Sequence, residues 1–143
     1  MNAALDINQL KNIKENISKR RDVAKKYNNF FSSLKFFSLI PGLSIDENVY
    51  QLYSVLTPNS EFRESLISHL NQNRVSSKVY FTPIHETSFY KEKLRYKVNL
   101  PVTVEVSSRI LSLPIFPSLT NEDMDRIFTV IKDFTVSYNF NEK

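Results

Sequence analysis

The sequence predicts an α+β domain in which helices pack against a small sheet, and three observations carry that prediction. Apolar residues recur at spacings of three and four from Leu10 to Leu34. Two later stretches, 49–56 and 77–81, are rich in β-branched and aromatic residues and end at proline-containing turns. A last amphipathic stretch opens on Thr120 and Asp123, the pattern of a capping box. Helical and strand periods thus alternate along the chain. Its 143 residues suit one hydrophobic core and are too few for two ordinary domains.

The first element reads as one long helix. Leu10, Ile13, Ile17, Ala24, Tyr27, Phe31 and Leu34 form its stripe, Arg20 is the single polar interruption, and no proline or glycine falls between Ala3 and Leu34. A helix of that length would span roughly 45 Å, more than so small a domain can cover, so part of its apolar face is expected to meet another domain or subunit. Phe36, Phe37, Leu39 and Ile40 follow as a connector that turns at Pro41-Gly42, and Val49–Leu56 is the first predicted strand. Thr57-Pro58-Asn59-Ser60 stops that strand and supplies an N-cap for a helix from about Ser60 to Asn71, with Phe62, Leu66, Ile67 and Leu70 on one face. Ser77–Phe81 is the second strand, ended by Pro83, and His85–Lys97 reads as a loop with a helical turn. A short helix begins near Pro101, its inner side formed by Val102, Val106, Arg109 and Ile110. Leu111-Ser112-Leu113 suits a third strand, at an edge or barely paired. Met124, Ile127, Phe128, Ile131 and Phe134 are the buried stripe of the last helix.

Composition excludes most self-contained active sites. There are no cysteines, so disulfides, thiolate metal sites and a cysteine nucleophile are absent together. Gly42 is the single glycine, which leaves no glycine-rich phosphate cradle, and His69 and His85 are too few for a multi-histidine metal centre. No apolar run is long enough to span a membrane and no signal-peptide pattern opens the chain, so the expected location is the cytoplasm. The net charge of +4 sits in one segment: residues 1–34 hold seven basic and three acidic side chains, and the rest is balanced at twelve against twelve. Such a helix is either a solvated face with snorkelling lysines or a nucleic-acid contact.

Three constellations bear on chemistry. The stretch from Lys78 to Glu86 ends a strand with His85 and Glu86 beside aromatic rings; a histidine there can act as acid or base, hold a phosphate, or simply be a hydrogen-bonded surface residue. Arg109 can bind an anion or make a structural ion pair. Tyr50, Tyr53, Tyr80, Tyr90 and Tyr96 form a tyrosine set that reads as core with wet tips.

The wording of the chain resembles a known family. YFTPIHETSFYK, LPVTVEVSSRILSLPIFPSLT and NEDMDRIFTVIKDF, together spanning Tyr80 to Phe134, are similar in kind and order to the C-terminal small domain of the DegT/StrS family of nucleotide-sugar aminotransferases. Ala3-Ala4-Leu5 with Gln9-Leu10, then Lys19-Arg20-Arg21 and Tyr27-Asn28, resemble the family's linking helix. The resemblance implies a fold-type I small domain with a mostly antiparallel sheet, divided as a linking helix over residues 1–35 and an α+β domain over 36–143. It also implies pyridoxal phosphate as cofactor of the full-length enzyme, an amino-acid donor (typically glutamate), a keto-sugar nucleotide acceptor feeding polysaccharide biosynthesis, and a homodimer with sites at the subunit interface. No nucleic acid and no membrane are expected as partners.

The family's Schiff-base lysine, its pyridine-facing aspartate and its phosphate cup would lie in a large domain preceding Met1, so this polypeptide alone is expected to bind no pyridoxal phosphate and to have no catalytic residue. Carried over by position, His85 matches the histidine of "P-x-H" near the sugar nucleotide, and Tyr80 and Phe81 match aromatic positions facing the same cleft. Two departures stand out. Asn73-Arg74-Val75 replaces "x-G-I", where the asparagine is expected to accept the left-handed turn, and Val104 takes the place of a glutamate that is shifted to Glu105. The other readings are a noncatalytic interaction module, in which the basic helix pairs with a partner, and a basic nucleic-acid-binding domain.

Overall fold

A computed structural model describes residues 7, 9–42, 44–95 and 97–138. Helix α1 is Ile13–Ser32, 20 residues or about 30 Å. Residues 9–11 are helical as well, but Asn12 sits at φ −100°, ψ 2° and its N–H donates to the Gln9 carbonyl at 3.2 Å. The single long helix is therefore interrupted at Asn12, a residue whose side chain competes with the helical backbone. Only the C-terminal half of its stripe is buried, through Val23, Ala24, Tyr27, Phe30 and Phe31. Leu10 and Ile13 are 63% and 45% exposed.

Strands β1 (Ser38–Leu39), β2 (Tyr53–Leu56) and β3 (Ile110–Leu113) form an antiparallel sheet in that order. Tyr53 pairs with Leu113 and Leu56 with Ile110. The first predicted strand is shorter than its composition suggested. The Asn48 side chain accepts the Tyr50 N–H at 2.8 Å and Tyr50 turns to φ 46°, so a local bond takes the amide that a longer ladder would use. The strand expected at 77–81 is reduced to one bridge between Lys78 and Ser112, because the side chains beyond it, Val79 and Phe81, find no face to pack on. The third strand is the better paired: it matches β2 over four residues, with the Ser54 and Ser112 hydroxyls 2.6 Å apart across the ladder.

Helix α2, Ser60–Gln72, starts where the Asn59 side chain accepts the Phe62 N–H at 2.8 Å. It ends in a Schellman turn: Arg74 and Val75 donate to the carbonyls of Asn71 (3.0 Å) and Leu70 (2.9 Å), and Val75 is buried behind it. The left-handed residue of that turn is Arg74, at φ 58°, and not Asn73, at φ −92°. Arg74 thus holds the position where the resembled pattern has glycine. Arg74→Gly is expected to raise stability by about 1 kcal/mol, since glycine removes the Cβ penalty at positive φ; a urea midpoint that stays put or falls would show the turn is relaxed as it stands.

Helix α3, Pro101–Arg109, buries no residue, and Val102, expected on its inner side, is 74% exposed. Helix α4, Asn121–Ser137, has the predicted capping box: the Thr120 hydroxyl accepts the Asp123 N–H at 3.1 Å and the Asp123 carboxylate accepts the Thr120 N–H at 3.2 Å. Bonds from the Thr120 side chain and backbone hold the Asp123 carboxyl below its ordinary pKa. Met124, Ile127, Val130, Ile131 and Phe134 line its buried face, and Phe128 stacks on Phe30 at 4.2 Å.

One core joins these elements. Tyr27 stacks on Tyr53 at 4.5 Å, and Phe62 of α2 is ringed by Phe37, Phe134 and Tyr138 at 5.7, 5.1 and 4.8 Å. Burial pushes the Tyr27 and Tyr53 phenols above their ordinary pKa, with the adjacent tyrosine adding to each shift; their hydroxyls donate to the Pro114 carbonyl (2.9 Å) and the Asn28 amide oxygen (2.7 Å). These are core tyrosines with satisfied tips.

Candidate functional site

Between the sheet and α3 the chain leaves its core. None of the described residues from 76 to 110 is buried. Within this arm Lys78 anchors the start to β3, exchanging backbone bonds with Ser112 at 3.0 and 2.8 Å. A 3₁₀ turn over Ile84–Glu86 and a π turn over Phe89–Lys93 follow, as the predicted loop with a helical turn requires. Both are closed by local bonds, including Glu86 N–H to the Pro83 carbonyl at 2.8 Å and the Thr87 hydroxyl to the Ile84 carbonyl at 2.8 Å. Apolar side chains point outward from it: Phe81 is 73% exposed and Ile84 66%.

The far end of the arm is tied down at Arg109. Its guanidinium bonds the Glu105 carboxylate one helical turn earlier and the Thr57 carbonyl at 3.3 Å. The buried Thr57 hydroxyl donates to the Arg109 carbonyl at 2.9 Å. Arg109 is therefore the structural ion pair of the two alternatives, and the shifted glutamate, Glu105, is its partner.

The structure places Tyr80 and Phe81 on one groove and His85 on another, and Tyr80 also borders a third with Lys78 and Ser112. Tyr80 and Phe81 lie together, rings 4.9 Å apart, and with Pro83, Val102, Val106 and Ile110 they line a groove of about 340 Å³ that contains no charged side chain. His85 faces a second groove of about 560 Å³ with Glu86, Lys91, Lys97, Leu100 and Val104. The separation follows from α3: Val102 and Val106 are one turn apart and share a face, whereas Val104 projects from the opposite side. Glu86 stands beside His85 as the sequence suggested, whereas Lys91 and Lys97 carried no signal there; Glu86 accepts an ion pair from Lys91 at 3.2 Å. The tyrosine set does not form one surface. Tyr50 and Tyr53 stack at 6.3 Å, Tyr90 pairs with Phe89, and Tyr96 lies outside the described residues.

A pyridoxal phosphate site needs a desolvated lysine and a cradle for the phosphate. Every described lysine is exposed, and the groove that Gly42, the only glycine, lines contains no lysine. Among the described residues no lysine and phosphate cradle come together to fit that cofactor. Nor do any three described His, Asp or Glu residues cluster to hold a metal ion, and none of the described helices is long and apolar enough to cross a membrane. On the basic helix, Lys19 and Lys25 pair with Glu15 (2.6 Å) and Asp22 (3.8 Å), which reads as a solvated charged face.

Solved structures with this architecture are aminotransferases. PseC from Helicobacter pylori, involved in the biosynthesis of pseudoaminic acid, superposes with a TM-score of 0.84 at 23% identity over 94% of this chain and 37% of its own. A DegT/DnrJ/EryC1/StrS aminotransferase from Brucella abortus gives 0.76 at 29% identity, covering 90% of this chain and 33% of its own. NtdA from Bacillus subtilis, solved with bound cofactor PMP, gives 0.73 at 26% identity, with 85% and 29% covered. The chain thus spans about a third of the length of the structures it matches. The DegT/DnrJ/EryC1/StrS aminotransferase family itself matches over residues 1–132, nearly the whole sequence, and the chain belongs to that family.

Proposed function

We propose that this chain is the small-domain part of a pyridoxal-phosphate-dependent sugar aminotransferase that moves an amino group from an amino acid, typically glutamate, to a keto-sugar nucleotide. Residues 1–35 serve as the linking helix and 36–143 as the small domain. The carrying observation is the unburied arm, which presents Tyr80, Phe81 and His85 on a segment with no core of its own. Such a site is one wall of a cleft whose other wall, with the cofactor, is supplied by the remainder of a family enzyme or by a second copy in a homodimer. The exposed Leu10 and Ile13 on the helix, and Phe81 and Ile84 on the arm, support the need for that cover. In this reading the chain works in the cytoplasm and does no bond chemistry by itself; the imidazole and the rings bind, orient and exclude water around the acceptor.

The test joins the chain to a large domain of the family. His85→Ala is expected to slow the half-reaction with the keto-sugar nucleotide roughly tenfold, the loss of one hydrogen bond, about 1–2 kcal/mol. The amino-acid half-reaction should be unchanged, because the donor reacts before the sugar enters. Equal slowing of the two would return His85 to a structural role.

A further inference from the structure

We propose that Arg74 and Arg126 form a clasp for one carboxylate, that of an acidic side chain on a peptide segment, at the end of α2. The clasp is independent of the reading of the arm. Arg74 precedes the arm, and its groove shares no residue with the Tyr80–Phe81 groove or the His85 groove. Arg74 is the left-handed residue of the Schellman turn, at φ 58°, where the resembled pattern has glycine. A residue with a Cβ holds that conformation only at a cost, and positions of this kind gather at ligand clamps. What the chain gains at that cost is a guanidinium on the wall of a groove of about 240 Å³, opposite the start of α4.

Arg126, on α4, lines the same groove and is tied to the turn: its Nη2 donates to the carbonyl of Asn73, the residue before Arg74, at 3.0 Å. That bond uses one of its five N–H donors. Among the described residues neither arginine makes an ion pair. The carboxylate in the groove, Asp123, is already engaged by the Thr120 hydroxyl at 2.6 Å and the Thr120 N–H at 3.2 Å in the cap of α4. One further carboxylate therefore brings the groove to neutrality, and its two oxygens match a guanidinium fork; a phosphate dianion exceeds the charge on offer. The remaining wall is apolar, with Pro114, Leu119 and Phe116, the last 42% exposed. Pockets that enclose a whole small molecule start at about 300 Å³. A smaller groove with two forks and an apolar wall suits one Asp or Glu side chain beside one apolar neighbour, which is the surface of a peptide.

The full chain, isotopically labelled, is titrated at low salt with acetyl-leucyl-glutamyl-leucine amide, its glutamine counterpart, butyrate and inorganic phosphate, following the Nε–H signals of Arg74 and Arg126 by NMR. The glutamyl peptide is expected to shift both signals saturably in the millimolar range, and the other three to act at least tenfold more weakly. Arg74→Gly should weaken the glutamyl peptide about tenfold, the loss of one charge-assisted contact, while raising the urea midpoint, so that lost binding is not lost folding. Arg126→Gln should weaken it to a similar extent, and Lys25→Gln, the same charge change on α1, should leave it as it was. No saturable shift, an equal response to the glutamine peptide, or unchanged affinity in Arg74→Gly overturns the proposal. Butyrate binding as tightly as the peptide overturns the peptide as occupant, and phosphate binding more tightly overturns the carboxylate.

Discussion

Phe62→Ala should destabilise the fold strongly, because it removes the ring on which three elements meet. Phe62 is fully buried, and Phe37, Phe134 and Tyr138 close on it at 5.7, 5.1 and 4.8 Å, so the connector, α2 and the end of α4 all lose a contact at once. Truncating such a side chain costs about 3–5 kcal/mol, transfer and cavity together, out of a total of about 5–15 for a domain. Phe62→Leu, which keeps most of the volume, should cost about 1.5 kcal/mol. Val102→Ala, at a position 74% exposed on α3, should change stability by less than about 0.5 kcal/mol. Urea unfolding by circular dichroism gives all three. A loss under 1 kcal/mol for Phe62→Ala would mean that the aromatic cluster is not the centre of the core.

Hydrogen exchange should split the molecule into two classes of amide. Amides in β2, β3 and Ile127–Phe134 lie in the one core and should open only with global unfolding, as should those of Val23–Phe31 in α1. Amides of residues 79–95, in an arm with no buried side chain, should exchange on the order of a thousandfold faster. Residues 9–11 and the first turn of α1 belong with the fast class, since Leu10 and Ile13 are exposed where the stripe has no cover. In a monomer, protection across 79–95 equal to that of Tyr53–Leu56 would show that the arm is stable without a partner surface.

The same division explains what could be read from the residues. Helices with side-chain caps were legible: Asn59 and the pair Thr120 and Asp123 each mark a start that the structure places at the same residues. Strands were legible in place and not in length, because their ends are decided by local competition, as when Asn48 captures the Tyr50 amide, or by the lack of a face to pack on, as beyond Lys78. The left-handed Arg74 carries no residue-type signal; only its position after α2 marks it. Of the site, His85, Tyr80 and Phe81 came from the family resemblance. Their distribution over separate grooves depends on how α3 lies against the arm, and Lys91 reaches the His85 groove from a turn closed by local backbone bonds, Lys97 from the irregular segment before α3.

The central claim is that this chain supplies the substrate side of a site whose cofactor is held outside it. Its most direct test is to incubate the purified chain with pyridoxal phosphate, reduce with borohydride and locate any pyridoxyl-lysine by mass spectrometry. Exposed, fully solvated lysines are expected to give only sparse labelling spread over many positions, with no visible absorbance band that saturates at one equivalent. A stoichiometric adduct at a single lysine would contradict the account, because it would show that the chain builds a cofactor site of its own.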